Sequence, residues 1–252
     1  MCGRYILSRD PAGLARYFST TGPTPNHRAS WNMAPTQEGL VVRRNAQTGA
    51  RHLDALRWGL VPRWAKDASG GARLINARAE TLAEKPSFRE AFRRRRCLVP
   101  MDGFYEWAGK GAAKRPFAVA LRDGAPMGVA GLWEGWQQDD GTWLRTYSVI
   151  TCAAAGRQAL LHERIPVIIP PEAWAAWLGE VETDEEALSA LLRPASDAAL
   201  AFWPVPARVG RVSENDQGLI AVMASRPEDI PSGLNDAPPA WAVAAVDSGG
   251  RD

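Results

Sequence analysis

Cys2 has the most distinctive chemistry open to it. If Met1 is removed, which the small side chain at position 2 permits, Cys2 carries a free amine and a thiol on adjacent carbons. Unperturbed, the amine titrates at about 7.7–8.0 and the thiol at about 8.5, so both are partly nucleophilic near neutral pH. Together they capture an aldehyde: the amine forms a Schiff base, and the thiolate then closes a five-membered thiazolidine ring. No internal residue can do this. MCG by itself, however, is better read as a cysteine that simply follows the start of the chain. Glu106 is a second candidate, because FYEW sets a carboxylate between aromatics. Burial in such a strand raises its pKa and lets it exchange protons near pH 7. A glutamate facing solvent, or paired with an arginine, fits the same pattern equally well. His162, in HERIP, stands at the edge of an apolar run, where a lone histidine is more often structural than catalytic.

These groups need a scaffold. A chain of 252 residues with 46% hydrophobic residues buries a real core, and one domain of that size is common. No secretory signal and no membrane span is expected, since no apolar run is long enough. Three widely spaced cysteines, Cys2, Cys97 and Cys152, argue against a disulfide framework or zinc site and for a reducing compartment. The expected location is the cytoplasm. A net charge of +2 does not announce a nucleic-acid binder, but the arginines cluster, and eleven tryptophans suit stacking on bases as well as a core. GxGxxG and GxxxxGK[ST] are absent, which argues against nucleotide hydrolysis.

In chain order, residues 3–8 read as a strand tying down the terminus, and Asp10-Pro11 opens a short helix through Phe18. Strands are expected at 39–44 and 51–57. WGLVPRWAKD is an ordered loop, and LINARAET places Asn76, Arg78 and Glu80 on alternate positions if extended. Ser87 and Glu90 form a capping box for a helix whose last turn holds Arg93–Arg96. A solvated helix end is the favoured use of that run, ahead of phosphate contact. RCLVP and GFYEWA are strands joined by Met101-Asp102-Gly103. Later strands include a hairpin closed by Asp139-Asp140-Gly141. Thr183 and Glu186 form a second capping box, strands follow near 202–207 and 209–213, and residues 226–252 are expected to be a flexible tail.

Taken together, MCGRY, WNMAPTQ, WGLVPRWAKD, NARAET, RCLVPMDGFYEW and HERIPVI, in that order, resemble the SOS-response-associated peptidase family, the SRAP domain. The resemblance runs from Cys2 to about residue 222, so residues 1–225 are expected to form one SRAP domain. It implies recognition of abasic sites in single-stranded DNA and a covalent thiazolidine crosslink through Cys2, with Asn76, Glu106 and His162 as supporting site residues. Arg4, Arg78 and Arg164 match positions that face DNA phosphates, and Trp64 and Pro35 are plausible wedges or stacking surfaces. Thr151-Cys152 followed by three alanines, and SEND near the end, depart from the family pattern.

The fold expected is α+β, a mostly antiparallel, curved or barrel-like sheet with peripheral helices. No metal or cofactor is expected, and the expected partner is abasic single-stranded DNA, bound by a monomer that associates with the nucleoid. Two other readings use the same residues. One is a thiol peptidase with Cys2 as nucleophile and His162 as base, including self-removal of Met1. The other is a non-covalent single-strand binding module.

Overall fold

Period-two alternation and β-branched or aromatic runs dominate the chain, and strands dominate the result. This computed structural model describes residues 2–223, 231 and 233–243. Its strands are, in order, β1 (Tyr5–Leu7), β2 (Ser30–Met33), β3 (Glu38–Arg44), β4 (Arg51–Trp58), β5 (Asn76–Arg78) and β6 (Arg96–Met101). They continue with β7 (Gly103–Ala108), β8 (Arg115–Leu121), β9 (Met127–Gln137), β10 (Trp143–Ala153), β11 (Arg164–Pro166) and β12 (Leu200–Pro204). The helices α1 (Pro11–Tyr17), α2 (Arg89–Arg94), α3 (Trp174–Leu178) and α4 (Glu185–Ala190) are short and lie outside the sheets. No helix among the described residues is long and apolar enough to cross a membrane.

One sheet runs β12-β8-β7-β1-β2 and is antiparallel throughout. In the other, β10, β4, β3, β6 and β9 follow one another, and β9 pairs back onto β10, so the strands close into a ring. Its parallel pairings are those of β10 with β4 and β5. A mostly antiparallel, barrel-like α+β core is thus what forms. Strand β10 explains why Thr146–Cys152 is buried without a break, for it is flanked along its length by β9, β4, β5 and β11.

Strands β6 and β7 are consecutive but do not pair: the first belongs to the ring, the second to the open sheet. Asp102 makes the corner. Its buried carboxylate accepts from Ser8 N at 2.6 Å, Arg9 N at 3.1 Å and Arg9 Nε at 2.7 Å, which fastens the crossing to the end of β1.

The two sheets also meet through a phenol pair, Tyr5 to Tyr147, with hydroxyls 2.7 Å apart. Trp58 stacks on Tyr147 and meets Tyr5 edge-on. Gly39 lies directly beneath, and a Cβ there would collide with both phenol oxygens. Gly39→Ala should therefore destabilise the protein by about 1–3 kcal/mol, the usual cost of overpacking. Chemical denaturation checks this, and an unchanged midpoint would show that the pair tolerates displacement.

Several local expectations give way to longer-range partners. Ser87 makes no cap: α2 starts after Phe88 without a side-chain cap, and Glu90 pairs with Arg94 instead. Asp184, not Thr183, caps α4 by accepting from Ala187 N. The arginine run divides: Arg93 and Arg94 stay exposed at the helix end, Arg95 pairs with Glu134, and Arg96 opens β6. No strand forms at 209–213. Asn32 Nδ2 instead binds the carbonyls of Val209, Arg211 and Glu214, which holds this stretch as a folded turn. The tail expected from residue 226 falls partly outside the described residues. Of the described part, Asp236 accepts from Phe202 N and pairs with Arg157, while Leu234 and Ala242 are buried, so this stretch is anchored to β12.

Candidate active site around Cys2

Cys2 lies between the two sheets. On one side, Tyr5 pairs with Phe104 and Tyr105 N donates to Arg4 O at 3.0 Å, and continuing that register along β7 carries the chain's start past Glu106. On the other, Asn76 Nδ2, from the first residue of β5, donates to Cys2 O at 2.8 Å. Cys2 is fully buried. Its thiol is pushed far above the ordinary cysteine value by desolvation, and next by the charge of Glu106, so the two groups are within electrostatic reach. The availability expected of an unperturbed thiol does not hold here: the thiol needs a base.

Glu106 is the carboxyl whose charge is felt at that thiol. Strand β7 is covered on both edges, by β1 and β8, and Glu106 is 3% exposed. Burial raises its pKa above the ordinary carboxyl value, partly offset by nearby positive charge, that of the amino terminus and then of Lys114. The buried reading of FYEW is the one the fold adopts, and the solvent-facing glutamate is excluded.

His162 follows the 3-10 turn Gly156–Leu160 and is half-buried. Its Nδ1 accepts from Arg164 N at 2.9 Å, so in the neutral ring the proton sits on Nε2. Burial, and then the positive amino terminus, hold its pKa below the ordinary imidazole value. Cys2, Asn76, Glu106 and His162 thus gather around the start of the chain, contributed by β5, β7, the lead-in to β11 and the terminus.

The cations are placed differently from one another. Arg4 is half-buried, donates to Gly3 O at 2.8 Å, and has its pKa lowered by burial. Arg78 is exposed on β5. Arg164 is not a free phosphate ligand: its fork is taken by Glu80, at 2.8 and 2.9 Å, and by Thr151 O. Trp64 is 67% exposed and borders a cavity of about 320 Å³ with Arg63, Pro86 and Glu134. Pro35 is half-buried in another loop, where Thr36 holds φ of 72°, a left-handed conformation rare for a β-branched residue. The two loops meet at Trp58, whose carbonyl accepts from Thr36 N at 2.8 Å.

Two groups had no clear role in the sequence. Lys114 ends the GKGAAK loop, lies over the Trp107 ring at 5.9 Å and acts electrostatically on both Glu106 and His162. Nothing local marks it. Glu80 was visible only as the third alternate position of NARAET.

Comparison with known proteins places this arrangement. The family model described as SOS response associated peptidase (SRAP) matches residues 1–212. The chain is similar to the abasic site processing protein YoqW of Bacillus subtilis, 35% identical over 87% of this chain and 99% of that protein. It is similar to abasic site processing protein YMR114C of Saccharomyces cerevisiae, 34% identical over 91% of this chain and 70% of that one. A crystal structure of a protein from Bacteroides thetaiotaomicron shares the fold, with TM-score 0.81 and 22% identity over 88% of this chain and 100% of that one.

Proposed function

The chain belongs to the SOS response associated peptidase (SRAP) family, and on that premise we propose that it senses abasic sites in single-stranded DNA and shields them covalently through Cys2. It acts in the response to DNA damage, as a DNA-associated monomer of the cytoplasm. The observation that supports this most is the convergence on one residue: Asn76 holds the Cys2 carbonyl at 2.8 Å while the charge of a buried carboxyl, Glu106, acts on its thiol.

The chemistry balances as follows. Hydrolysis of the Met1–Cys2 peptide bond frees the Cys2 amine. The closed abasic sugar opens to its C1′ aldehyde, and the amine adds to C1′, giving a carbinolamine. His162 Nε2–H donates a proton to the departing hydroxyl, which leaves as water and forms the imine. The thiol gives its proton to Glu106, its sulfur adds to C1′, and the imine nitrogen takes up a proton. One C–N and one C–S bond form, and one water is lost overall. Proton transfer of this kind contributes about 10²–10⁴-fold. Asn76 Oδ1 is buried without a hydrogen-bond partner, which suits it to accept from a sugar hydroxyl. Arg4 and Arg78 are suited to phosphate, and Trp64 and Pro35 to stacking beside the lesion. A single strand offers the sugar without the unpairing cost of a few kcal/mol.

A thiol peptidase would use the same cysteine and histidine, but it needs a stabilised thiolate. Here burial and Glu106 push the Cys2 thiol the other way. The test is direct: purified protein is incubated with abasic single strands and resolved by denaturing gel and intact mass. The expected product is a denaturation-resistant adduct whose mass is the sum of protein and DNA less one water. No adduct, or equal capture of intact DNA, would overturn the reading.

A further inference from the structure

The geometry points to Glu80 as a positioning residue for the crosslinking reaction: by clamping Arg164 it holds the strand that His162 leads into against the strand that begins with Asn76. This rests on the function proposed above and adds a residue to its site.

Strands β5 and β11 each span three residues and do not pair with one another. Both lean on β10, where Thr151 faces Arg78 on one side and Pro166 on the other. So few ladder bonds fix their relative placement weakly. Glu80, two residues beyond Arg78, crosses this gap. Its carboxylate accepts from Arg164 Nη1 at 2.8 Å and Nη2 at 2.9 Å, while Nη2 also reaches Thr151 O. One guanidinium therefore ties the ends of three strands. Bidentate pairs of this kind set geometry as well as strength.

The clamp bears on His162 through the backbone. Arg164 N–H is the donor that fixes His162 Nδ1, and so fixes which ring nitrogen carries the proton. Hydrogen bonds from Arg164 hold the Glu80 carboxyl below the ordinary range, so the clamp stays charged through neutral pH. Arg164 keeps a side chain only 12% exposed, against 51% for Glu80: the cation is a strut within the fold and the carboxylate its outer brace.

Glu80→Gln keeps the size but offers one acceptor in place of a charged pair. With abasic single strands at saturation, its single-turnover crosslinking rate should fall between about 10- and 100-fold, the scale of a misplacement near 1 Å. Binding of intact single strands should stay within about twofold. NMR titration of the His162 ring, resolved from His27 and His52, supplies the readout that a merely structural role would not move. In the parent, Nε2 carries the proton. In Glu80→Gln the tautomers should mix and the midpoint should move from its parental value. The other charges facing His162, namely the amino terminus, Glu163 and Lys114, are unchanged in this variant. Glu80→Asp, which keeps the charge on a shorter arm, should restore part of the rate, and an unchanged melting temperature shows that the fold is kept. A Glu80→Gln protein with parental rate and parental His162 titration overturns the clamp alone. A lost rate with weakened binding of intact DNA and an unmoved titration also overturns it, assigning the pair to DNA contact. Absence of any adduct from the parent protein overturns the proposed function, and the clamp with it.

Discussion

A protein with even one residue left ahead of Cys2 should form no denaturation-resistant adduct with abasic single strands. In an amide the nitrogen lone pair is delocalised into the carbonyl, so no Schiff base can form. The thiol alone would give only a hemithioacetal, which reverts on denaturation, and burial already holds that thiol protonated. The extension would leave the Asn76 contact in place, because Asn76 binds the Cys2 carbonyl and not its nitrogen. Binding should therefore survive while the chemistry is lost. Cys2→Ala divides the loss further. Its amine can still form an imine, so borohydride should trap an adduct that is absent without the reductant. Intact mass spectrometry, paired with the denaturing gel, reads every state. A Met1-retaining form that crosslinks at the parental rate would show that the amine is not the first nucleophile.

The parts of this site that were legible in the sequence are those whose cause is local. The β9–β10 hairpin follows from alternation and the Asp139-Asp140-Gly141 turn, and α1 follows from Asp10 and Pro11. Burial of Glu106 was one of two readings that FYEW left open, and the covering of β7 by β1 and β8 decides it. What was not legible depends on partners far along the chain. The parting of β6 from β7 is held by Asp102 through Ser8 and Arg9, 94 and 93 residues away. The turn that replaces a strand after Ala207 is held by Asn32, 177 to 182 residues away. Arg164 reads as a phosphate ligand until Glu80, 84 residues earlier, is seen to fill its fork. The two capping boxes fail for a related reason: such a box is one local option among several, and Glu90 finds Arg94 a turn later. Residue types thus marked the candidate groups, but not which cations were already committed to holding the strands.

Glu106→Gln should slow adduct formation by about 10²–10⁴-fold while leaving DNA binding largely intact, because in the proposed mechanism it removes the group that takes the thiol proton and it leaves the shape of β7 alone. The same substitution should make the protein more stable at neutral pH. Burial raises the folded-state pKa of Glu106, whereas in the unfolded chain a glutamate titrates at about 4.3. Between those two values the native state binds more protons than the unfolded state, so stability falls as pH rises through the window. Glutamine carries no such penalty. Denaturant unfolding as a function of pH should find parent and variant alike well below pH 4 and should find the variant ahead once the window is crossed. A variant that is less stable at every pH would mean that Glu106 is an ionised structural partner of the nearby cations. A rate that falls as stability rises identifies instead a carboxyl kept in an unfavourable place for what it does to protons, since a buried group with no chemical task gains nothing from its charge.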